Sequence, residues 1–163
     1  MDYTTERLIL RIVTEDDINE VARTWPAVRR PIPLSKARES IARIRKNLAE
    51  NKKGSIRHLC LAVCGKADPG VIMGWCGLDG SRSRTESEVF VLLDEPYRGR
   101  GFGTECVKEL LRIATEDFSL QSVHGGCAKD NIASARAMEK AGMVRYGEED
   151  NGDPVFRYVI AAK

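Results

Sequence analysis

Glycines between residues 98 and 104 form the stretch of this sequence best suited to bind a ligand. Gly99, Gly101 and Gly103 follow an apolar, strand-like run at residues 89–93 and directly precede a helical pattern. Glycine lets the backbone turn sharply and approach a ligand closely. The first amides of a helix have no partners within the helix, and the helix dipole adds positive charge there. The sequence therefore predicts an anion-binding corner at this place.

Two well-known phosphate motifs do not fit this corner. A Walker A loop requires Lys and then Ser or Thr after its last glycine, whereas Thr104 and Glu105 follow Gly103. A dinucleotide fingerprint requires a third glycine where this chain has Thr104. From the glycines alone, an ordinary strand-to-helix turn with surface arginines remains the alternative.

The spacing Arg98-x-x-Gly101-x-Gly103 resembles the R/Q-x-x-G-x-G/A signature of the GNAT (GCN5-related N-acetyltransferase) superfamily. The resemblance implies a loop whose backbone amides hold the pyrophosphate of acetyl-coenzyme A. It assigns donor binding to Arg98, Gly99, Arg100, Gly101, Phe102, Gly103 and Thr104.

A second motif lies near the end of the chain. Asn131 can be interpreted as a helix cap and Gly142 as the left-handed residue that ends the same helix. The string from Asn131 to Met143 also resembles the GNAT pattern N-x-x-S-x-x-x-x-E-K-x-G-F. That resemblance implies that Asn131 binds the pantetheine arm and that Ser134 lies near the sulfur and assists the leaving thiolate. Family members with a tyrosine acid carry it where this chain has Met138, which excludes a tyrosine acid at that position.

A third motif opens the chain. ERLILR at residues 6–11, followed by TEDD at residues 14–17, resembles the ribosomal-protein N-terminal acetyltransferase branch of GNAT proteins. The three motifs together imply one α/β (α+β) domain over residues 1–163, with about four helices. Its mixed, mostly antiparallel, splayed sheet should have about six to seven strands. The splay implied by the resemblance leaves backbone amides of Val91, Leu92 and Leu93 free to meet the pantetheine and an oxyanion.

The chemistry of acetyl transfer requires a neutral amine as nucleophile. At pH 7, neutralising a lysine ε-amine costs about 4.6 kcal/mol, whereas an α-amine costs about 1.4 kcal/mol. An α-amine is therefore the easier acceptor. Glu88 occupies the place of the family's central-strand glutamate, and we predict that it acts as the base through a bridging water. A structural or substrate-orienting role for Glu88 is the alternative. His58 and His124 are weaker candidates, because strand histidines without an evident partner are usually structural.

The segment of residues 29–57 is strongly basic. It holds ten Lys and Arg residues and two Glu residues, a local net charge of +8 in a chain whose total is +2. A solvated helix face is one explanation. Because the corresponding connection borders the acceptor site in the resembled fold, the other is attraction of an acidic or RNA-associated acceptor. The substrate-binding residues implied by the resemblance are Trp25, Arg29, Arg30 and Trp75, with a place in the core or the pocket wall as the alternative for Trp75.

Bulk composition restricts the class of protein. The 163 residues are 42% apolar and 31% charged, typical of one soluble domain. No apolar run approaches the roughly 20 residues of a membrane span, so we expect a cytoplasmic protein. Five cysteines without a C-x-x-C pair or a histidine cluster favour reduced thiols and argue against a metal site.

The sequence thus predicts an acetyl-coenzyme A-dependent N-acetyltransferase that acts on an α-amine of a protein or peptide by direct attack in a ternary complex. A small amine such as a polyamine, an amino acid or an antibiotic is the alternative acceptor. A coenzyme-binding module without turnover is the alternative from another class. The acceptor's identity and the oligomeric state, a homodimer included, are left open.

Overall fold

The computed structural model describes residues 1–28 and 30–160, which form one eight-stranded sheet and four α-helices. The strands are β1 (Asp2–Thr4), β2 (Leu8–Arg11), β3 (His58–Gly65), β4 (Asp68–Asp79), β5 (Glu86–Leu93), β6 (Ser122–Gly126), β7 (Val144–Glu148) and β8 (Pro154–Val159). The helices are α1 (Ile18–Thr24), α2 (Leu34–Ala49), α3 (Phe102–Arg112) and α4 (Ile132–Lys140). Short 3-10 turns cover Glu15–Asp17 and Glu95–Tyr97, and α3 continues into a π-helical turn at Ile113–Asp117.

The sheet has the order β1-β2-β3-β4-β5-β6-β8-β7. All neighbours are antiparallel except β5 and β6, which are parallel. The predicted mixed, mostly antiparallel sheet is confirmed, with one strand more than the expected range. The additional strand is β1, whose three residues pair with β2 but are too short to show a pattern in the sequence.

The parallel pairing of β5 and β6 ends early. It joins Glu86 to Ser122, Ser87 to Val123 and Glu88 to His124. β5 continues to Leu93 and remains paired with β4 along its other edge. The two strands therefore separate after Glu88, and the space between their carboxyl-terminal halves is called the gap below.

The sheet is covered by helices on both faces. On the α3 face, side chains of α3 and α4 such as Leu110 and Met138 pack with Val89 and Phe156. On the α2 face, α1 and α2 contribute Val21 and Ile41 to a second cluster. Successive β5 residues alternate between these faces, which places Glu88 and Phe90 on the α2 face. None of the helices in residues 1–28 and 30–160 is long and apolar enough to cross a membrane.

All five cysteines are free thiols, as predicted. Cys60, Cys64, Cys76 and Cys106 are buried, and Cys127 is partly exposed. Burial raises the pKa of the Cys60 thiol to about 12, because the interior disfavours the thiolate.

Arg11 and Asp17 form a largely enclosed ion pair that joins β2 to the turn before α1. The Arg11 guanidinium donates to both Asp17 carboxylate oxygens at 2.9 and 2.8 Å, and the Thr14 amide donates to Oδ2 at 2.8 Å. The hydrogen bonds from Arg11, helped by that of Thr14, hold the Asp17 pKa below its ordinary value although burial opposes them.

Asp17→Asn should lower the free energy of unfolding at pH 7 by about 2 kcal/mol, because the largely enclosed Arg11 guanidinium loses its counter-charge. Folding lowers the Asp17 pKa, so the contribution is present above the ordinary value near 4. It disappears as the pH falls through the lowered folded value. Thermal unfolding of both proteins at pH 7 and near pH 3 should therefore show a difference that shrinks in acid.

The matched control for this prediction is Glu39→Gln. Glu39 pairs with Lys36 at 3.0 Å, but both side chains are about two-thirds exposed. That change should cost less than about 0.5 kcal/mol at either pH. An equal loss in the two variants would contradict the role given to the Arg11–Asp17 pair.

Candidate functional site

The glycine loop (residues 98–104) turns through two left-handed residues. Gly99 has φ +69° and Gly101 has φ +83°, a region that side-chain-bearing residues rarely adopt. Gly101 is the cap residue of α3, and the first hydrogen bond of the helix runs from the Glu105 amide to the Gly101 carbonyl at 3.2 Å. The amides of residues 102–104 precede that bond and point out of the helix end. The loop therefore offers a row of donors to an anion.

The loop is held from the side by the segment before β2. Arg7 donates to Glu105 from its amide at 2.8 Å and from Nε at 2.9 Å, and Thr5 donates from its hydroxyl to the same carboxylate. Arg7 Nη1 also donates to the Arg100 carbonyl at 2.9 Å. Its guanidinium lies 4.3 Å from the centre of the Phe102 ring.

These contacts determine the charge state of Glu105. Burial alone would raise its pKa, but the hydrogen bonds from Thr5 and Arg7 outweigh burial and hold the pKa below its ordinary value. The carboxylate thus stays charged and anchors the loop. Sequence reasoning missed this role of Arg7, because the contact joins residues 98 positions apart and has no local signal.

The arginines of the loop stay at the surface. Arg98 Nε donates to the Leu93 carbonyl at 2.9 Å, which ties the loop to the end of β5. The Arg100 guanidinium lies 5.2 Å from the centre of the Phe102 ring. Both residues are exposed and place positive charge beside the helix end.

The gap exposes particular backbone amides of β5. The Asp94 amide donates to the Met73 carbonyl at 2.9 Å. By the alternation of an antiparallel ladder, Leu92 and Phe90 also bond to β4, whereas Val91 and Leu93 direct their N–H groups into the gap. Of the three strand residues predicted to meet the donor, Val91 and Leu93 therefore present free amides. Leu92 instead lines the cleft on the α2 face.

Helix α4 begins shortly after β6, the strand on the other side of the gap. Asn131 Oδ1 accepts a hydrogen bond from the Ser134 amide at 3.2 Å, which confirms the predicted helix cap. A Cβ atom added to Gly103 would lie 3.9 Å from the Ala137 Cβ, so the first turn of α3 packs against the middle of α4. Met138 is 5% exposed and belongs to the core.

Two clefts open on the α2 face. The first, of about 780 Å³, is bounded by residues of α2 and β3–β5, among them Arg43, His58 and Phe90. The second, of about 420 Å³, lies over β5, β6 and the β7–β8 hairpin. Asp79 and Glu88 line both clefts. Glu88 therefore stands where the clefts meet, beside the last residue pair before the gap.

Strand register aligns five ionisable side chains in one row across the sheet. His58 pairs with Asp79, Asp79 with Glu88, Glu88 with His124 and His124 with Arg157. Directly paired residues share a face, so all five lie on the α2 face. Burial lowers the His58 pKa, and the charge of Asp79 opposes that shift.

Residues 7–144 match the family model described as the acetyltransferase (GNAT) domain. The chain belongs to the GNAT acetyltransferase family. The protein is therefore a GNAT-type N-acetyltransferase, as the three sequence motifs predicted.

Similar proteins come from several bacteria. The SPbeta prophage-derived uncharacterized N-acetyltransferase YokL of Bacillus subtilis is 24% identical over 153 residues, covering 90% of this chain and 81% of YokL. The ribosomal-protein-S5-alanine acetyltransferase of Vibrio fischeri has a similar structure, with a TM-score of 0.79, 15% identity, and coverage of 98% and 96% of the two chains. RimL, a ribosomal L7/L12 alpha-N-protein acetyltransferase solved in complex with coenzyme A, gives a TM-score of 0.72, 13% identity and 97% coverage of each chain. At these identities the structural matches establish the shared fold.

The residues predicted to bind the acceptor differ in exposure and position in this GNAT protein. Trp25 is 9% exposed and lines the first cleft. Trp75 is 1% exposed and packs edge-on against Trp25, with ring centres 5.6 Å apart. Its indole N–H donates to the carbonyl and hydroxyl of Thr24, so Trp75 supports the cleft wall from inside the core. Arg30 is exposed, and Arg29 lies outside the described residues.

His124 has the partners that the sequence did not reveal. Its Nε2 lies 3.1 Å from the Ser122 hydroxyl, and its Nδ1 lies 3.3 Å from the Tyr146 hydroxyl. The sequence analysis ranked His124 as a weaker base candidate because no partner was evident, and the structure supplies two. In this GNAT protein the hydrogen-bonded His124 side chain lines the second cleft, as Glu88 does. Within the described residues, no group of three or more His, Cys, Asp or Glu side chains could hold a metal ion.

Proposed function

We propose that the protein transfers an acetyl group from acetyl-coenzyme A to an α-amine of a protein or peptide, by direct attack in a ternary complex. The observation that carries this proposal is the separation of β5 and β6 directly after Glu88. It leaves free backbone amides between the glycine loop at one end of the gap and the carboxylate of Glu88 on the α2 face. A donor held in the gap would then meet an acceptor held in the clefts.

The donor half of the site fits a diphosphate and a pantetheine arm. The amides of residues 102–104 and the loop arginines would hold the diphosphate, and the Val91 and Leu93 amides would bind the arm and stabilise an oxyanion. Asn131 would bind the arm from the α4 side. When bound, acetyl-coenzyme A supplies the activated thioester. A thiol of pKa ~8.5 leaves as thiolate at a penalty of about 2 kcal/mol at pH 7. That penalty is small enough for Ser134 to assist without a tyrosine acid.

The acceptor half of the site combines an acidic floor with a basic rim. Asp79 and Glu88 lie at the floor, and Glu88 would receive the ammonium group and accept a proton through a bridging water. Arg43, Arg57 and Arg84 line the same cleft closer to α2 and the β4–β5 turn. An α-amine followed by anionic groups matches this arrangement of charges.

Two observations bear on the class of acceptor. The structurally similar ribosomal-protein acetyltransferases act, by their names, on proteins, which supports a protein acceptor. The first cleft, at about 780 Å³, is also in the size range of small-ligand pockets. A small amine is therefore the second candidate.

A thiol-release assay with acetyl-coenzyme A separates these acceptors. The panel should contain peptides with a free α-amine and acidic residues at positions two to four, their Gln and Asn counterparts, α-blocked lysine peptides, polyamines and aminoglycosides. We expect the largest kcat/KM for the acidic peptides with a free α-amine. Release with polyamines or aminoglycosides alone would move the assignment to small amines, and no release with any amine would overturn the proposed function.

The dependence of kcat/KM on salt should distinguish a basic rim that attracts the acceptor from a basic helix face that is only solvated. Raising ionic strength from about 20 to about 200 mM should lower kcat/KM for the acidic peptide about 5-fold, because it screens the attraction of residues such as Arg43 and Arg57. The neutral counterpart peptide is the control and should change less than about 1.5-fold. Equal salt dependence of both peptides would show that the basic segment does not steer the acceptor.

A further inference from the structure

Three side chains of the second cleft (Tyr146, His124 and Glu86) and the buried Ser122 form a hydrogen-bonded chain that the proposed function does not yet use. The Tyr146 hydroxyl lies 3.3 Å from His124 Nδ1, and His124 Nε2 lies 3.1 Å from the Ser122 hydroxyl. The Ser122 hydroxyl donates to Glu86 Oε1 at 3.1 Å. The chain thus runs from an exposed phenol on β7, through β6, to a carboxylate on β5.

The Glu86 carboxylate determines the donor and the acceptor of every hydrogen bond in this hydrogen-bonded chain. A carboxylate only accepts hydrogen bonds, so Ser122 uses its single proton to donate to Glu86. The Ser122 oxygen must then accept from His124, which places the proton of the neutral imidazole on Nε2. His124 Nδ1 keeps its lone pair and accepts from the Tyr146 hydroxyl. Arg157 Nη2 lies 3.6 Å from Glu86 Oε1 and supports the negative charge there.

The open end of the chain faces the proposed acceptor site. Tyr146 is 58% exposed, and it lines the second cleft together with His124 and Glu88. Glu88 and His124 are direct partners across the parallel strands and project from the same face. An amine that contacts Glu88 therefore has a second polar group, the Tyr146 phenol, within the same cleft.

Proton energetics favour an imidazole over a carboxylate as the final acceptor. An α-ammonium titrates near 8, an imidazole near 6.5 and a glutamate near 4.3 in model peptides. The equilibrium for transfer to an imidazole is then unfavourable by about 30-fold, whereas that for transfer to a carboxylate is unfavourable by about 5,000-fold. A carboxylate suits the task of holding the ammonium, and an imidazole suits the task of taking its proton.

We infer that Tyr146 and His124, rather than Glu88 through a bridging water, take the proton of the acceptor amine as a relay, with Glu88 holding the ammonium beside it. In this step an N–H bond of the ammonium breaks and its proton passes to the Tyr146 oxygen. The Tyr146 O–H bond breaks at the same time, and its proton passes to His124 Nδ1. The resulting imidazolium keeps its Nε2–H bond to Ser122, which is held by Glu86, and the amine is left neutral for attack. The inference rests on the proposed acetyl transfer to an amine.

The surroundings of His124 define which variants are informative. The titratable and charged groups that share the second cleft with it come from β4 and its following turn, β5, the β7–β8 hairpin and β8. They are Asp79, Arg82, Glu86, Glu88, Tyr146, Glu149 and Asp153, together with Cys127 directly after β6 and with Arg157 paired directly with His124. A change in pH dependence must therefore be compared among variants that each remove one group.

The first test is the pH profile of kcat and kcat/KM for wild type, Tyr146→Phe and His124→Gln with the best amine acceptor. Relay function predicts that kcat falls about 10-fold in Tyr146→Phe and about 100-fold in His124→Gln. The acid limb of the profile should move by more than one pH unit in both variants. Affinity for acetyl-coenzyme A should stay within about 2-fold of wild type, since neither side chain borders the glycine loop. Unchanged acid limbs in both variants would overturn the relay and leave Glu88 as the sole proton acceptor.

Tyr158→Phe is the matched control. Tyr158 lies on β8 beside Arg157, but its pairing with Val123 places it on the α3 face, where it packs against the core. It should retain wild-type kcat and pH dependence. A loss in Tyr158→Phe equal to that in Tyr146→Phe would overturn the relay, because it would show a general effect of the hairpin.

A second measurement does not depend on turnover. The chain has two histidines, so nitrogen and carbon NMR of the imidazoles can be assigned with His58→Gln and His124→Gln. Neutral His124 should be the Nε2–H tautomer in wild type, and Ser122→Ala should populate the other tautomer. An Nδ1–H tautomer in wild type would overturn the relay even if acetyl transfer is confirmed. Absence of thiol release in wild type with the expected tautomer would instead overturn the proposed function.

Discussion

Replacing Gly101 by valine should weaken acetyl-coenzyme A binding by about 100-fold, a loss of about 2.7 kcal/mol. Gly101 has φ +83° at the start of α3, where a β-branched residue is strongly disfavoured. A Cβ atom there would also lie 3.2 Å from Arg7 Nη2, the side chain that anchors the loop. The amides of residues 102–104 would then lose their common direction. Isothermal titration calorimetry with acetyl-coenzyme A measures the effect.

Gly54→Val is the matched control for this change. Gly54 has φ +75° and no neighbouring atom within 4 Å of an added Cβ, so it carries similar backbone strain away from the glycine loop. Both variants should lose some stability, but only Gly101→Val should lose donor affinity. Wild-type affinity in Gly101→Val would remove the glycine loop from the donor site.

Glu88→Gln should lower kcat/KM for the amine acceptor by about 100-fold or more, with acetyl-coenzyme A affinity within about 2-fold of wild type. The carboxylate lies where the two clefts meet, directly before the gap. Without its charge the site loses the group that holds the ammonium beside the proposed relay. Both a higher acceptor KM and a lower kcat are expected. Steady-state thiol release and calorimetry with the donor check the two parts separately.

Glu116→Gln provides a matched control for the loss of one carboxylate. Glu116 forms a surface ion pair with Arg112 at 2.8 Å beyond the end of α3, away from both clefts. Its kcat/KM should equal that of wild type. Near-wild-type turnover in Glu88→Gln would remove Glu88 from the mechanism, whatever the result for the relay residues.

Much of the donor half of the site could be predicted from local sequence. Gly99 and Gly101 adopt the left-handed conformations that their residue type suggests, and Asn131 caps α4 as its side chain predicts. These features depend on steric limits and hydrogen bonds within a few residues, so the order of residue types is sufficient to predict them.

The acceptor half of the site could be predicted from the sequence to a lesser extent. His124 and Tyr146 are 22 positions apart, and their contact depends on the pairing of β6 with β8 and of β8 with β7. A bulge between Arg145 and Gly147 places Tyr146 in this arrangement. A strand register is set by packing of whole faces, so neither residue indicates its partner in the sequence. For Trp75 the sequence left a core and a substrate-binding position open, and its burial against Trp25 decides for a supporting side chain.

The sequence by itself determined the glycine loop and the cap of α4, because backbone conformation and capping are decided within a few residues. Its three motifs also indicated the family, and that resemblance implied the mixed sheet. Only the tertiary structure decided where β5 and β6 separate, which amides face the gap, and how Arg7 anchors the loop. It also decided that His58, Asp79, Glu88, His124 and Arg157 share one row. Each of these features joins residues distant in the chain, and their meeting depends on strand register and packing of the complete sheet.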